Sequence, residues 1–140
     1  MKSKLGKLRL IQLAQLVAIP LFARVAESIR APGNGNWTLW HWLTVGLALY
    51  AALVGFFFRR RLIHRSDEAL AKDASDPKAL KQWEVGHLIG MSMAEGIAIW
   101  GVVVRMVIGG TLWQASLFYA TGVLLLLLWT PRMPITVSSQ

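Results

Sequence analysis

The chain has 140 residues, of which 55% are apolar and 16% are charged, and it contains no cysteine. Charged residues usually make up about a quarter of a globular chain, so this composition is not that of an ordinary soluble domain. The length fits a single domain, and the apolar content excludes disorder for most of the chain. Because cysteine is absent, a disulfide framework, a thiolate metal site and a cysteine nucleophile are all excluded.

The formal net charge is +8, from fifteen basic and seven acidic residues. The basic residues lie in short clusters beside apolar runs, where positive charge sets the orientation of a membrane protein. A lipid bilayer is therefore the expected partner, and nucleic acid is not. We predict an all-α integral membrane four-helix bundle, with residues 1–140 forming a single membrane domain.

The first predicted span covers about residues 9–29. Four basic residues precede an apolar stretch from Leu10 to Ala23, namely Lys2, Lys4, Lys7 and Arg9. This order resembles a signal peptide, but Arg24 and Glu27 lie among the nearest cleavage positions, which favours an uncleaved signal anchor. Because a bilayer requires roughly 20 residues of helix, this span must continue to about Ile29, with Pro20 inside it.

Turn residues at positions 31–36 end this helix, and residues 37–58 predict a second span that carries no formal charge. Tryptophans open this span and arginines close it, as is typical of the two membrane boundaries: Trp37, Trp40, Trp42, Arg59, Arg60, Arg61 and Arg65. We interpret the tryptophans around His41 as interfacial anchors, and no cofactor is expected.

Residues 59–85 predict a polar cytoplasmic loop with a short amphipathic helix or turn, and Asp76-Pro77 is a helix-start signal. A third span is predicted at about 86–109, ending at Gly109-Gly110. A fourth is predicted at about 111–130, ended by Pro131 and Pro134. Basic residues concentrate at the N-terminus, in the loop and at Arg132, so we expect both termini in the cytoplasm and a multi-pass protein of the cell inner (plasma) membrane.

Glu95 lies near the middle of the third predicted span. An ionised carboxylate at the centre of a membrane helix costs about 2.5–3.5 kcal/mol on insertion scales, which marks a functional site by default. Desolvation favours the uncharged acid unless a cation pairs with it. A proton- or ion-binding role and a structural pairing role are both open for this residue.

The possible partners of Glu95 are Arg105, His87, Arg24 and Glu27. His87 and Arg105 are eighteen residues apart and share one helix stripe, about 80° from Glu95, so the three cannot form one compact site. We interpret His87 as an interfacial histidine. Arg105 is expected to reach the headgroups or to pair with Glu27 or Glu95. Arg24 and Glu27 are three residues apart and are expected to pair locally.

Small residues recur every fourth position along the third span, at Gly86, Gly90, Ala94 and Ala98. This pattern lets membrane helices approach closely, so we predict a tight helix contact there, either within the chain or between copies. Glu95 lies beside the stripe and is expected to face protein rather than lipid. No metal-ligand pair at helical spacing is present, and no metal site is expected.

The segment Ala94-Glu95-Gly96-Ile97-Ala98-Ile99-Trp100-Gly101, followed by three valines, resembles the carboxylate helix of the rotary ATPase proteolipid (subunit c). The resemblance implies that Glu95 is the ion-carrying carboxylate and that Trp100-Gly101 is the aromatic-glycine pair that follows it. The order of features along the chain, ending in Pro131-Arg132-Met133-Pro134, is also similar to small uncharacterised bacterial four-helix membrane proteins. That similarity implies no activity.

We therefore expect a small membrane protein that handles protons or ions through Glu95, as a homo-oligomer or as a subunit of a larger complex. The alternative is a non-catalytic assembly or scaffold subunit with a structural Glu-Arg pair. An enzyme is not expected, because no nucleophile-base set or metal site accompanies the intramembrane carboxylate.

Overall fold

The computed structural model describes residues 2–29 and 35–132, and in this part of the chain the secondary structure is entirely helical. The four helices are α1 (Lys2–Ile29), α2 (Leu39–Lys72), α3 (Pro77–Val103) and α4 (Leu112–Leu128). A π-helical turn, Val104–Ile108, continues α3. The all-α prediction is confirmed.

Three of the helices are long and apolar enough to cross a bilayer: Ser3–Ile29, Leu39–Lys72 and Pro77–Ile108. The helix α4 is also apolar but has 17 residues, which is the lower limit of the usual length for a membrane span. It ends at Leu128, before Pro131, as predicted. Pro134 and residues 31–34 of the predicted first turn lie outside the described residues.

The region predicted as a loop at 59–85 is almost wholly helical. The helix α2 continues through the arginine cluster to Lys72, and α3 begins at Pro77, so that only residues 73–76 are non-helical. The prediction of a short separate helix or turn at 62–84 was wrong in this respect. Residues 59–72 contain neither glycine nor proline and are rich in helix-forming side chains, so nothing in them ends the helix at the charged segment.

The connection at residues 73–76 is held by side-chain hydrogen bonds to the backbone. Asp76 caps α3 by accepting bonds from the amides of Lys78 and Ala79, at 2.8 and 3.4 Å, which confirms the predicted helix start. The Ser75 hydroxyl and amide both donate to Asp73, and they hold the pKa of that exposed carboxyl below its usual range. The turn at the other end of α3 is also as predicted, with Gly109 at φ 77°.

The helix α3 lies at the centre of the bundle and contacts α1, α2 and α4. We name one end of the bundle the basic end, where residues 59–65 and 73–76 lie, and the other the glycine end, where Gly35 and Gly109–Gly110 lie. The outward faces of α1 and α2 carry exposed apolar side chains, including Leu13, Val17, Leu47 and Leu53. Such faces match a hydrocarbon surrounding better than water.

Candidate functional site

A polar ladder of three contacts joins α1 to α3 along the length of the bundle. Its pairs are Lys4–Glu84, Gln15–Glu95 and Glu27–Arg105, whose sequence separations are 80, 80 and 78 residues. A nearly constant separation means that the two helices run parallel and in register. On α3 the three positions are 11 and 10 residues apart, close to three helical turns, so they lie on one face.

The middle contact of the ladder holds the glutamate that the sequence singled out. The Gln15 amide nitrogen donates to Oε2 of Glu95 at 2.7 Å. Glu95 is half-buried, and no cation of residues 2–29 and 35–132 forms an ion pair with it. The amide oxygen of Gln15 is buried and has no hydrogen-bond partner among the same residues. Glu95 therefore faces protein, as predicted, and its described partner is neutral.

The neutral partner gives the pair a chemical property that an arginine lacks. A glutamine side chain has both a donor and an acceptor, so after rotation of the amide it satisfies either an ionised or a protonated carboxyl group. An arginine can only donate, and it would be left as an uncompensated charge if Glu95 became protonated. The Gln15–Glu95 contact thus allows the glutamate to change its charge while it keeps its partner.

The ladder contact at the glycine end is a buried ion pair. Arg105, whose side chain is only 2% exposed, lies in the π-helical turn and donates through Nε and NH2 to the two carboxylate oxygens of Glu27. Its third donor reaches the carbonyl of Gly110. Two parallel bonds of this kind are the strong, bidentate form of an arginine-carboxylate contact. Arg105 thus pairs with Glu27, one of its predicted alternatives, instead of extending to headgroups.

The remaining two of the predicted partners lie apart from Glu95. Arg24 is exposed on α1, while the carboxylate of Glu27, its expected local partner, bonds to Arg105. His87 is buried near the basic end and packs edge-on against Trp83, with ring centroids 4.9 Å apart. Along α3, His87 is about 12 Å from Glu95. The structure therefore brings none of the four candidates into an ion pair with Glu95.

The small-residue stripe of α3 is buried within the chain and has two partners. Toward the basic end it faces α2, where a Cβ atom on Gly86 would lie 3.0 Å from Ile63. Further along it faces α4, where a Cβ atom on Gly122 would lie 2.8 Å from the Ala94 carbonyl and from Ala98. The predicted tight contact is thus present, and it is made between helices of one chain.

The aromatic-glycine pair that follows Glu95 packs toward the glycine end. A Cβ atom on Gly101 would lie only 2.6 Å from the Tyr119 ring and 2.9 Å from the Ala115 carbonyl. Trp100 is half-buried and joins an apolar cluster that includes Ile97 and Phe118. Both residues act in helix packing, which is the role predicted for them.

Sequence reasoning overlooked the glutamines of the first span. Gln12 donates to the Leu126 carbonyl at 2.5 Å and to the Thr130 hydroxyl at 3.1 Å, so it satisfies acceptors at the end of α4. Gln15 lies three residues further along α1. Two glutamines with this spacing inside an apolar run share a helix face, and that spacing was the available signal.

The other polar groups do not form a metal or cofactor centre. Nδ1 of His41 accepts the Thr38 amide at 3.1 Å, so this histidine caps α2 beside Trp37. In the described part of the chain, no group of three histidine, aspartate or glutamate side chains lies close enough together to hold a metal ion.

Comparison with known proteins gave no match: no family model, no curated protein and no solved structure matches the chain. The resemblance of residues 94–104 to the rotary ATPase proteolipid stays a prediction.

Proposed function

We propose that this chain is an integral membrane protein in which Glu95 takes up and releases a proton, or binds an ion, inside the helix bundle. Chain length favours work as a homo-oligomer or as a subunit of a larger membrane complex, because self-contained transporters usually combine two repeats around a midplane site. The resemblance of residues 94–104 to the carboxylate helix of the rotary ATPase proteolipid agrees with this role.

The single observation that carries the proposal is the hydrogen bond from Gln15 to Glu95 in the middle of the ladder. A carboxylate that serves only to bind two helices together is best matched with an arginine, as at the glycine end of the same ladder. The amide of Gln15 instead tolerates both protonation states of Glu95. A site of this kind is suited to reversible loading.

The proposed orientation places the basic end in the cytoplasm, at the inner (plasma) membrane. Lys4 and the arginines of α2 lie at this end, and so does Arg132, whose charge acts on Arg59. The positive-inside rule then gives both termini a cytoplasmic location. From Glu84 to Arg105 the ladder rises about 31 Å along α3, close to the thickness of a hydrocarbon core. The Gln15–Glu95 pair then lies near the bilayer centre.

Infrared difference spectroscopy of the protein in bilayers tests the proposal. We expect a carboxylic acid band that titrates near neutral pH in the wild type and is missing in Glu95→Gln. Glu84→Gln is the matched control, since this glutamate lies on the same face of α3 but is paired with Lys4. Gln15→Leu should shift the band, because it removes the hydrogen-bond partner of the acid.

A second measurement follows proton exchange in proteoliposomes that enclose a pH-sensitive dye. Wild type and Glu84→Gln should exchange protons and Glu95→Gln should not. If Glu95 stays ionised down to about pH 4, or if Glu95→Gln exchanges protons like the wild type, the proposal is wrong.

The Glu27–Arg105 pair favours a second candidate function, a non-catalytic assembly or scaffold subunit. A buried, bidentate pair fixes one helix against another and does not favour a change of charge. Under this alternative, Glu95→Gln loosens the assembly while proton exchange is absent from the wild type as well. The size of the purified complex before and after the substitution distinguishes the two functions.

A further inference from the structure

A crevice runs between α2 and α4 on the face of the bundle opposite the ladder. Its floor is Ile97 of α3, its walls include Val45 and Ala52 of α2 and Phe118 of α4, and its volume is about 170 Å³. Ile97 is two residues from Glu95 and thus about 200° around the helix, so the crevice does not involve the ladder. The lining is almost entirely apolar, as an acyl chain requires.

The crevice leads toward a second, polar pocket at the basic end. This pocket, of about 260 Å³, is lined by Phe56, Arg59, Arg60, Ile63, His64 and Asp67. On α2, residues 45, 49, 52, 56, 59 and 63 follow one another at intervals of three or four, so the apolar and basic parts share one helix stripe. About 16 Å separates their centres, close to the depth of one hydrocarbon leaflet.

Arg59 is prepared for an anion. Its guanidinium lies over the Trp129 ring, 5.7 Å from the centroid, and its side chain crosses α3 at Gly90, where a Cβ atom would lie 2.6 Å from Cδ. Its Nε is buried and has no hydrogen-bond partner among residues 2–29 and 35–132. The positive charge of Arg132 is close enough to act on it.

The charges around this pocket are mainly positive. Within the described residues, no carboxylate forms an ion pair with Arg59, Arg60 or Arg132. Asp67 is the one acidic residue in the pocket lining, one turn beyond Arg60 and His64. Two arginines that repel each other beside an unfilled donor match the chemistry of a phosphate group, whose oxygens accept bidentate guanidinium bonds.

We infer that this crevice binds one anionic phospholipid, with its phosphate against Arg59 and Arg132 and one acyl chain along the α2 stripe toward Val45. The two pockets in line on one stripe match the two parts of such a lipid. Charge complementarity selects an anionic headgroup, and the apolar crevice selects a membrane lipid over a free phosphate. The site stands apart from the proposed function of Glu95, because the two lie on opposite sides of α3.

The test is a lipid titration of the full chain in neutral detergent, followed by native mass spectrometry. Phosphatidylglycerol and phosphatidylcholine with identical acyl chains are compared, and inorganic phosphate is added as a competitor. We expect phosphatidylglycerol to bind more tightly, and phosphate not to displace it. Equal binding of the two lipids would overturn the inference. Displacement by phosphate at comparable concentration would identify an anion site instead of a lipid site.

Two matched pairs of variants locate the lipid. Arg59→Gln should weaken phosphatidylglycerol binding about fivefold, while Arg65→Gln, an equal charge loss on the same helix outside the pocket, should leave it unchanged. Ala52→Phe fills the crevice and should displace the acyl chain, whereas Leu53→Phe changes a lipid-facing position that is 69% exposed. Equal effects within either pair would refute this placement. The Ala52 and Leu53 pair keeps all arginines, so it decides the matter even if Arg59→Gln fails to fold.

Discussion

Arg105 and Glu27 illustrate how one residue controls the cost of another. Arg105 is buried in the π-helical turn, while Glu27 is 24% exposed, and the two are joined by a bidentate contact. Removal of one partner of a buried pair leaves an uncompensated charge, and the cost of that is about 3–5 kcal/mol. The exposure of the two partners is unequal, so the cost depends on which partner is removed.

We predict that Glu27→Leu lowers the free energy of unfolding by about 3–5 kcal/mol, since Arg105 would remain buried and charged. Arg105→Met should cost less, because Glu27 can turn toward the headgroups. The double variant should be more stable than the sum of the two losses implies, because it leaves no buried charge. Unfolding in mixed micelles measures all four proteins, and strictly additive losses would show that the contact contributes no coupling energy.

The sequence identified Glu95, Arg105 and Glu27 from the cost of charge in an apolar helix, but it did not identify their pairing. Helix periodicity orders residues on one helix, whereas pairing between α1 and α3 depends on the register of two helices far apart in the chain. Gln15 was overlooked for the same reason, since an uncharged side chain gives a weak hydropathy signal. The partner that determines what Glu95 does was therefore available only from the structure.

At the scale of the helix, the glycines of α3 divide into those that touch a neighbour and those that do not. A Cβ atom on Gly101 would meet Tyr119 and the Ala115 carbonyl at less than 3 Å, whereas one on Gly96 would meet no atom within 4 Å. Both residues lie inside α3, so they share the same backbone environment. They form a matched pair for testing whether close approach to α4 stabilises the bundle.

We predict that Gly101→Ala destabilises the protein by about 1–3 kcal/mol, because the added methyl group forces α3 and α4 apart. Gly96→Ala should be neutral or stabilising by about 0.5–1 kcal/mol, because alanine loses less conformational entropy in a helix. Thermal unfolding in detergent, followed by circular dichroism, compares the two. A Gly101→Ala protein as stable as Gly96→Ala would mean that the close contact at Tyr119 is not maintained.

The helix bounds show where hydropathy stops being informative. The span at 37–58 was predicted from its lack of charge, but α2 continues to Lys72 because the peptide backbone does not require an apolar environment to remain helical. Hydropathy marks the segment that a bilayer can contain, and helix propensity marks where the helix ends. The two boundaries differ by 14 residues at the basic end of α2, between Phe58 and Lys72.

For the whole molecule, the parallel α1 and α3 and the short turns at 73–76 and 109–111 require that ends of the helices alternate between two faces of the bundle. Ser3 and Ser75 then lie at the basic end, and Asn36 lies at the glycine end. The positive-inside rule assigns the basic end to the cytoplasm. This assignment combines a geometric fact with an electrostatic rule, and each part can fail separately.

The chain has no cysteine, so single cysteines report its orientation without background. In intact cells, we predict that a membrane-impermeant maleimide labels Asn36→Cys and leaves Ser3→Cys and Ser75→Cys unlabelled until the membrane is opened. Labelling of all three positions reversed would mean that the fold is right and that the basic end faces outward. Labelling of Ser3→Cys alone among the two basic-end positions would place α1 outside the bundle, and it would break the ladder on which the proposed role of Glu95 depends.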